Sequence, residues 1–218
     1  MKQVRTGLDI LVADTALQQQ FKGNVALLCH NASIDHTCTP AVTWLQEIFG
    51  NRLVKLFGPQ HGYTSEDQDN MIETNHSIHP LLAIPVYSLY AESRVPTDEM
   101  LSGIDHLFVD LQDIGSRPYT YVYTLTLLLE KCSSVDLEVI VLDSPNPING
   151  TTVEGKSLQL EFRSFIGRHE VPMRHGLTLG EFALMHQRYW TKDSCQLKVI
   201  TMQNWDRSMY FDNTGLPW

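Results

Sequence analysis

Four short apolar segments of the sequence are each followed by polar residues that could do chemistry. Asn31 follows the first segment, and His61 lies in the sequence Gly-Pro-Gln-His-Gly after the second. Asp113 and Arg117 follow the third, and Asp143 follows the fourth. An imidazole exchanges protons near neutral pH, and an arginine guanidinium binds a carboxylate through two hydrogen bonds. These types suit an anionic or sugar substrate, although a strand-end aspartate often only caps a helix or fixes a turn.

Other candidate residues lie outside these strand ends. Glu154 follows an Asn149-Gly150 turn and is either a catalytic carboxylate or an exposed acid of a hairpin. Glu66 lies in a long polar segment and is either functional or a solvated loop carboxylate. Arg174 and His175 precede a helix and are either site residues or part of the packing where that helix begins.

A parallel sheet would bring these residues to one edge. The apolar segments are continuous runs, which suit strands buried on both faces, and they alternate with segments of helical pattern. The predicted strands are 25–30, 52–57, 85–90, 106–111, 137–142 and 197–200, and the longer predicted helices are 119–132 and 178–189. This order predicts a doubly wound α/β fold, a mainly parallel sheet with helices on both faces. Ligands of such sheets bind beyond the carboxyl ends of the strands.

Composition excludes several classes of function. The chain has 218 residues, 43% of them hydrophobic, and a net charge of −9. It can therefore form a core, and its acidic balance argues against a nucleic-acid partner. No apolar run is long enough to span a membrane, so no membrane partner is expected. The first residues lack an apolar leader, which predicts a cytoplasmic location, or a secreted or periplasmic one if the N-terminus was trimmed.

Motifs for cofactors and metals are missing from the sequence. There is no GxGxxG, GxxxxGK[ST], GxSxG or HExxH pattern, and the four cysteines are scattered rather than paired. We therefore predict no cofactor and no metal site, and we interpret the cysteines as free thiols.

Long motifs of this chain resemble one known family. They include Gly-Ser-Arg-Pro-Tyr-Thr-Tyr at 115–121 and Asp-Ser-Pro-Asn-Pro-Ile-Asn-Gly at 143–150. The other matching segments are 7–14, 56–62, 85–90, 109–114, 153–155, 172–176 and 211–218. The chain is similar to the N-terminal, Rossmann-like domain of the NamZ-like exo-β-N-acetylmuramidases, formerly a domain of unknown function. The resemblance implies hydrolysis of the β-1,4 bond that releases terminal N-acetylmuramic acid from the non-reducing end of peptidoglycan fragments.

The resemblance also implies roles for individual residues. Glu154 and Glu66 are the predicted catalytic carboxylates, with Asp113 as a reserve. The predicted substrate-binding residues are Gln60, His61, Arg117, Tyr119, Tyr121, Asp143, Asn146, Arg174 and His175. Arg117 or Arg174 would bind the lactyl carboxylate that distinguishes muramic acid from other sugars.

Family members carry a smaller C-terminal domain, and their cleft lies between the two domains. We therefore predict a catalytic domain over 1–205 and, over 206–218, the start of a linker into a C-terminal domain that is absent here. Because one wall of the cleft would then be missing, the isolated 218-residue chain is predicted to fold but to lack hydrolase activity. An apolar face around Trp205, Tyr210, Phe211 and Trp218 would then be exposed. Such a face predicts self-association through this end of the chain.

Gln60 departs from the pattern of characterised family members, which resemble Gly-Pro-Glu-His-Gly, and is similar to a subgroup that has glutamine at this position. A carboxamide does not exchange a proton at neutral pH, so Gln60 cannot act as a general acid or base. Two alternatives to a muramidase therefore remain. One is a carbohydrate-binding or catalytically altered homologue, and the other is a cytoplasmic α/β enzyme that acts on an amino-sugar metabolite.

Overall fold

A seven-stranded sheet runs through the centre of the molecule. The computed structural model describes residues 2–65 and 73–217. The strands are β1 (Val25–Cys29), β2 (Leu53–Gly58), β3 (Ser77–Ile78), β4 (Pro85–Ser88), β5 (His106–Asp110), β6 (Glu138–Leu142) and β7 (Gln196–Ile200). Their spatial order is β3-β4-β2-β1-β5-β6-β7, and every neighbouring pair is parallel except β3 with β4. Because strands are added on both sides of β1, the sheet is doubly wound, and the predicted Rossmann-like α/β class is confirmed.

Helices cover both faces of this sheet. They are α1 (Gly7–Ala13), α2 (Thr15–Gln18), α3 (Ala41–Phe49), α4 (Asp98–Leu101), α5 (Tyr121–Cys132) and α6 (Leu179–Tyr189). Successive side chains of a strand point to opposite faces. Leu28 accordingly packs in the core that contains α5 and α6, and Leu27 packs in the core that contains α1 and α3. Both faces of β1 need apolar residues, which explains its continuous apolar sequence.

The longest predicted helices are present. Residues 121–129 of α5 are all buried, as their nearly charge-free sequence predicts, although the helix begins at Tyr121 rather than Tyr119. Helix α6 begins with the predicted capping box, in which Thr178 and Glu181 each accept a hydrogen bond from the other's backbone N–H. Among the residues that the structure describes, no helix is long and apolar enough to cross a bilayer.

The C-terminal segment packs against the body of the domain. Arg5 pairs with Gln203 as an isolated antiparallel bridge, and the Val4 N–H donates to the Thr214 carbonyl at 2.9 Å. The Gly150 N–H donates to the Arg207 carbonyl at 2.7 Å. The predicted start of a linker at residue 206 therefore falls inside a packed segment, and the domain expected beyond it stays a prediction.

The predicted apolar face needs one correction. Phe211 is buried, because its N–H donates to the Pro147 carbonyl at 2.9 Å and draws the residue against the loop after β6. Tyr210 is exposed and Trp205 is partly buried. Trp218 lies outside the described residues.

Candidate functional site

A cleft of about 450 Å³ opens at the carboxyl edge of the sheet. Its walls come from the loops after β1, β5 and β6, from Thr6 and from the C-terminal segment. The lining residues are Thr6, Ala32, Ile34, Asp35, Gln112, Ile114, Pro147, Ile148, Tyr210, Phe211, Asp212, Leu216 and Pro217. The cleft therefore lies at the edge where α/β sheets bind their ligands, and its walls are mostly apolar.

Glu154 and Arg174 form an ion pair beside this cleft. Arg174 Nη1 donates to Glu154 Oε2 at 2.9 Å, and this hydrogen bond raises the pKa of Arg174. Arg174 Nη2 donates to the carbonyl of Ile148, and its guanidinium carbon lies 5.9 Å from the centre of the Tyr210 ring. Since Ile148 and Tyr210 both line the cleft, the pair sits at its rim.

Local backbone geometry places Glu154 opposite Arg174. Asn149 has a φ of 70°, and its side-chain oxygen accepts from the Thr152 N–H at 2.8 Å, which closes the turn after β6. Gly155 has a φ of 80°, and a Cβ there would lie 2.8 Å from the Met173 Cβ, so glycine permits the two segments to approach. The segments then pair as an isolated antiparallel bridge between Glu154 and Arg174.

Asp113 and His175 are buried together behind this rim. The His175 Nδ1 accepts from the Leu177 N–H at 3.1 Å, so a neutral ring carries its proton on Nε2, which lies 3.3 Å from Asp113 Oδ2. The same carboxylate oxygen accepts from the Gly115 N–H at 2.8 Å. Asp113 is only 3% exposed. These contacts join the loop after β5 to the segment that carries Arg174.

The two arginines predicted to bind a carboxylate have different surroundings. Arg117 Nη1 donates to the carbonyls of Lys156 and Val171 at 2.8 and 2.9 Å. This side chain therefore anchors the long segment between β6 and α6. The backbone carbonyl of Arg117 in turn accepts from the Tyr123 hydroxyl at 2.7 Å. Of these two arginines, Arg174 is the one that contacts residues of the cleft.

Asp143 and Asn146 form their hydrogen bonds within the protein. Asp143 accepts from the Thr178 hydroxyl at 2.9 Å and from the Gly180 N–H at 2.8 Å, at the start of α6. Burial raises the pKa of Asp143 to about 6. Asn146 donates to the Leu177 carbonyl at 2.9 Å. In this structure both side chains hold the loop after β6 against α6, which is the cap-and-turn alternative for Asp143.

Tyr119 and Tyr121 lie next to a histidine that the sequence reasoning did not select. The two tyrosine rings are 4.7 Å apart, and the Tyr121 hydroxyl lies 3.5 Å from His30 Nδ1. His30 Nε2 accepts from the Gln112 N–H at 3.1 Å, and burial lowers the pKa of His30 to about 4. His30 is therefore a neutral ring at neutral pH. Its position after β1, beside Asn31, was the sequence signal that could have identified it.

Gln60 and His61 lie in the loop after β2, on the other side of β1 from β5 and β6. His61 has a φ of 71°, in the left-handed region. Among the described residues, the cleft is lined by neither of them. Glu66, the second predicted carboxylate, lies outside the described residues. The structure thus brings Glu154, Arg174, Asp113 and His175 together and leaves the loop after β2 at a separate strand end.

A second cluster of ionisable groups lies at the end of β1 and β5. Asp9, Asp35 and His36 have side-chain atoms close enough to bind a metal ion. Their oxygens already accept protein hydrogen bonds, however, since Asp9 accepts from His36 Nδ1 at 2.7 Å and Asp35 from Trp44 Nε1 at 3.0 Å. Asp110, which the sequence reasoning did not select, has its pKa raised to about 8 by burial and by the nearby Asp9. We assign no metal to this group.

Comparison with known proteins gives one consistent family. The family model "Exo-beta-N-acetylmuramidase NamZ, N-terminal" matches residues 25–218. The chain belongs to this family. The peptidoglycan beta-N-acetylmuramidase NamZ of Bacillus subtilis (strain 168) is 38% identical over 216 residues, which are 99% of this chain and 51% of that protein.

Two solved structures of proteins from Bacteroides fragilis share the fold of this NamZ-family chain. The crystal structure of one DUF1343 family protein matches with a TM-score of 0.90 and 34% identity, covering 99% of this chain and 54% of that one. A second DUF1343 family protein matches with a TM-score of 0.80 and 27% identity, covering 95% and 54% of the two chains. The chain therefore spans about half the length of the relatives that it matches.

Proposed function

We propose that this protein is a glycoside hydrolase that releases terminal N-acetylmuramic acid from the non-reducing end of peptidoglycan fragments. The observation that carries the proposal is the 38% identity, over 99% of the chain, to the peptidoglycan beta-N-acetylmuramidase of Bacillus subtilis. The placement of Glu154 supports it, because this carboxylate is 63% exposed and stands at the rim of a cleft at the ligand-binding edge of the sheet.

The chemistry assigns Glu154 one of two carboxylate roles. Most glycoside hydrolases use one carboxyl group to protonate the leaving oxygen, and a second to activate water or to form a glycosyl intermediate. Glu154 is accessible to a sugar, whereas Asp113 is 3% exposed and hydrogen-bonded within the protein. We therefore retain Glu154 and Glu66 as the proposed pair. Asp113 contributes by fixing the loop after β5.

Gln60 favours a second candidate function. Its side-chain amide can hydrogen-bond a sugar hydroxyl but cannot supply a proton as a general acid. If the reaction in this family depends on a carboxylate at this position, the protein would bind the muramic acid end of a glycan without cleaving it.

One assay separates the two candidates. The protein, expressed together with the predicted C-terminal domain, is purified and incubated with a β-1,4 disaccharide that has N-acetylmuramic acid at its non-reducing end, and with a matched disaccharide ending in N-acetylglucosamine. We expect free N-acetylmuramic acid from the first substrate only. Calorimetric binding of the first disaccharide without release would favour the carbohydrate-binding candidate, and neither binding nor release would reject both.

A further inference from the structure

The Arg174 side chain is far more confined than its ion-pair partner. Its side chain is 16% exposed, whereas that of Glu154 is 63% exposed. Nη1 donates to Glu154 and Nη2 to the Ile148 carbonyl, while the guanidinium lies over the Tyr210 ring. The arginine is thus held by two cleft residues, independently of the carboxylate.

This arrangement differs from an ordinary surface ion pair. Exposed pairs contribute only about 0–1 kcal/mol, because immobilising two flexible side chains offsets their attraction. At this rim the guanidinium is already fixed by Ile148 and Tyr210, so pairing immobilises only the Glu154 side chain. The backbones assist, since the N–H of Glu154 donates to the Arg174 carbonyl at 3.2 Å and the reverse bond is 3.0 Å. A mostly exposed carboxylate is therefore held by its backbone and by its side chain.

We propose that Arg174 is a positioning residue, which fixes the Glu154 carboxylate at the cleft, rather than a residue that binds the carboxylate of the substrate. Each terminal nitrogen of its guanidinium already donates one of its two N–H groups, Nη1 to Glu154 and Nη2 to the Ile148 carbonyl. The side chain is only 16% exposed, so a substrate carboxylate would meet a confined guanidinium whose charge is already paired with Glu154. Arg174 Nε is buried and has no hydrogen-bond partner among the described residues, so it offers no accessible donor. This inference rests on the proposed function, because it takes Glu154 to be the reacting carboxylate.

A double-mutant cycle tests the proposal on the disaccharide that ends in N-acetylmuramic acid. We expect Arg174→Gln to lower kcat about tenfold, because the carboxylate loses its fixed orientation, and to leave KM within about twofold. Arg174→Lys should not restore kcat, since an ammonium group lacks the planar fork that engages Glu154 and Ile148 together. In a Glu154→Asp background, where the carboxylate is already displaced, Arg174→Gln should change kcat by less than about twofold.

Arg168→Gln is the matched control. It removes another arginine–glutamate pair, formed with Glu130 at 2.9 Å, whose residues do not belong to the described lining of the cleft. Its kcat should stay within about twofold of the unmodified protein. Thermal unfolding of each variant shows whether the fold is retained.

Two results would overturn the positioning role. If Arg174 instead binds the substrate carboxylate, Arg174→Gln would raise KM, abolish the preference for muramic acid and leave kcat intact. If Arg174 and Glu154 act independently, the fold reductions in kcat of Arg174→Gln and Glu154→Asp would multiply in the double variant. Failure of the proposed function appears elsewhere, as absent release by the unmodified protein or full activity of Glu154→Gln. In that event the affinity for N-acetylmuramic acid decides, because positioning predicts that Arg174→Gln leaves it unchanged and substrate binding predicts a loss.

Discussion

Two regions of this protein use similar ionisable residues in opposite ways. The rim region consists of Glu154 and Arg174 at the rim of the cleft, with Asp113 and His175 buried behind them. The histidine cluster, between α5 and α6, consists of His169, His186, Trp190, Glu130 and Arg168. Each region contains an arginine–glutamate pair with a hydrogen bond of 2.9 Å, and each contains buried histidine. They differ in what the histidines contact.

In the rim region, His175 is aligned through one ring nitrogen, since Nδ1 accepts from the Leu177 N–H at 3.1 Å. Its Nε2 lies 3.3 Å from Asp113 Oδ2 without forming a hydrogen bond among the described residues. In the histidine cluster, neither ring nitrogen of His186 has a hydrogen-bond partner within the described part of the chain. His169 instead stacks on Trp190, with ring centres 4.2 Å apart and planes at 5°. The same residue type therefore orders polar loops in one region and serves as a neutral aromatic packing element in the other.

The largest expected effect is the loss of activity when the carboxylate at the rim is removed. Glu154→Gln keeps the shape of the side chain and removes its charge and its ability to exchange a proton. We expect kcat on the muramic acid disaccharide to fall at least about a hundredfold. Glu161→Gln is the control, because Glu161 is an exposed glutamate on the same segment between β6 and α6. Equal activity of the two variants would reject Glu154 as a catalytic residue.

A smaller effect is expected on stability, when an arginine that supports the segment carrying the rim is changed. Arg117→Gln removes the donor to the Lys156 and Val171 carbonyls, which should lower the free energy of unfolding by about 1–3 kcal/mol. Thermal denaturation would show this as a melting point lower by about 2–4 °C per kcal/mol. Arg188→Gln, an exposed arginine of α6, should change stability by less than about 0.5 kcal/mol. An Arg117 variant as stable as this control would remove the structural role assigned to it.

The smallest expected effect is the stability that the histidine cluster loses as the pH decreases. Burial, with the nearby His186, Arg168 and Arg163, lowers the pKa of His169 to about 3, whereas an unfolded histidine titrates near 6.5. Below pH 6.5 the unfolded chain thus binds a proton that the folded protein does not, so stability falls as the pH decreases from 6.5 toward 3. His169→Phe keeps a ring against Trp190 and removes this proton uptake.

Urea unfolding at pH 6.5 and pH 5.5 measures this difference. We expect the loss of stability on acidification to be about 1 kcal/mol smaller in the His169→Phe variant than in the unmodified protein. An identical loss in both proteins would mean that His169 already titrates in the folded state as it does in the unfolded chain.

The elements with strong local patterns could be predicted from the sequence. The apolar runs around Leu27 and Val109 predict buried parallel strands because both of their faces need apolar side chains. The capping box of Thr178 and Glu181 predicts the start of α6, since both of its hydrogen bonds are local. Helix α1 and strand β3 were not predicted, because seven and two residues carry little periodicity, although Thr6 and Asp9 form a capping box that could have indicated α1.

What the sequence by itself determined is the α/β class, the edge of the sheet where ligands are expected, and the set of candidate residues. Only the tertiary structure decided which candidates meet. Glu154 and Arg174 are 20 residues apart, and they pair because the turn at Asn149 and the glycine at 155 bring two segments into antiparallel contact. The sequence leaves the roles of Arg117 and Arg174 equivalent, because each is an arginine in a matched motif. Their different partners, two backbone carbonyls for Arg117 and a carboxylate for Arg174, follow from chain folding over distances that no local pattern encodes.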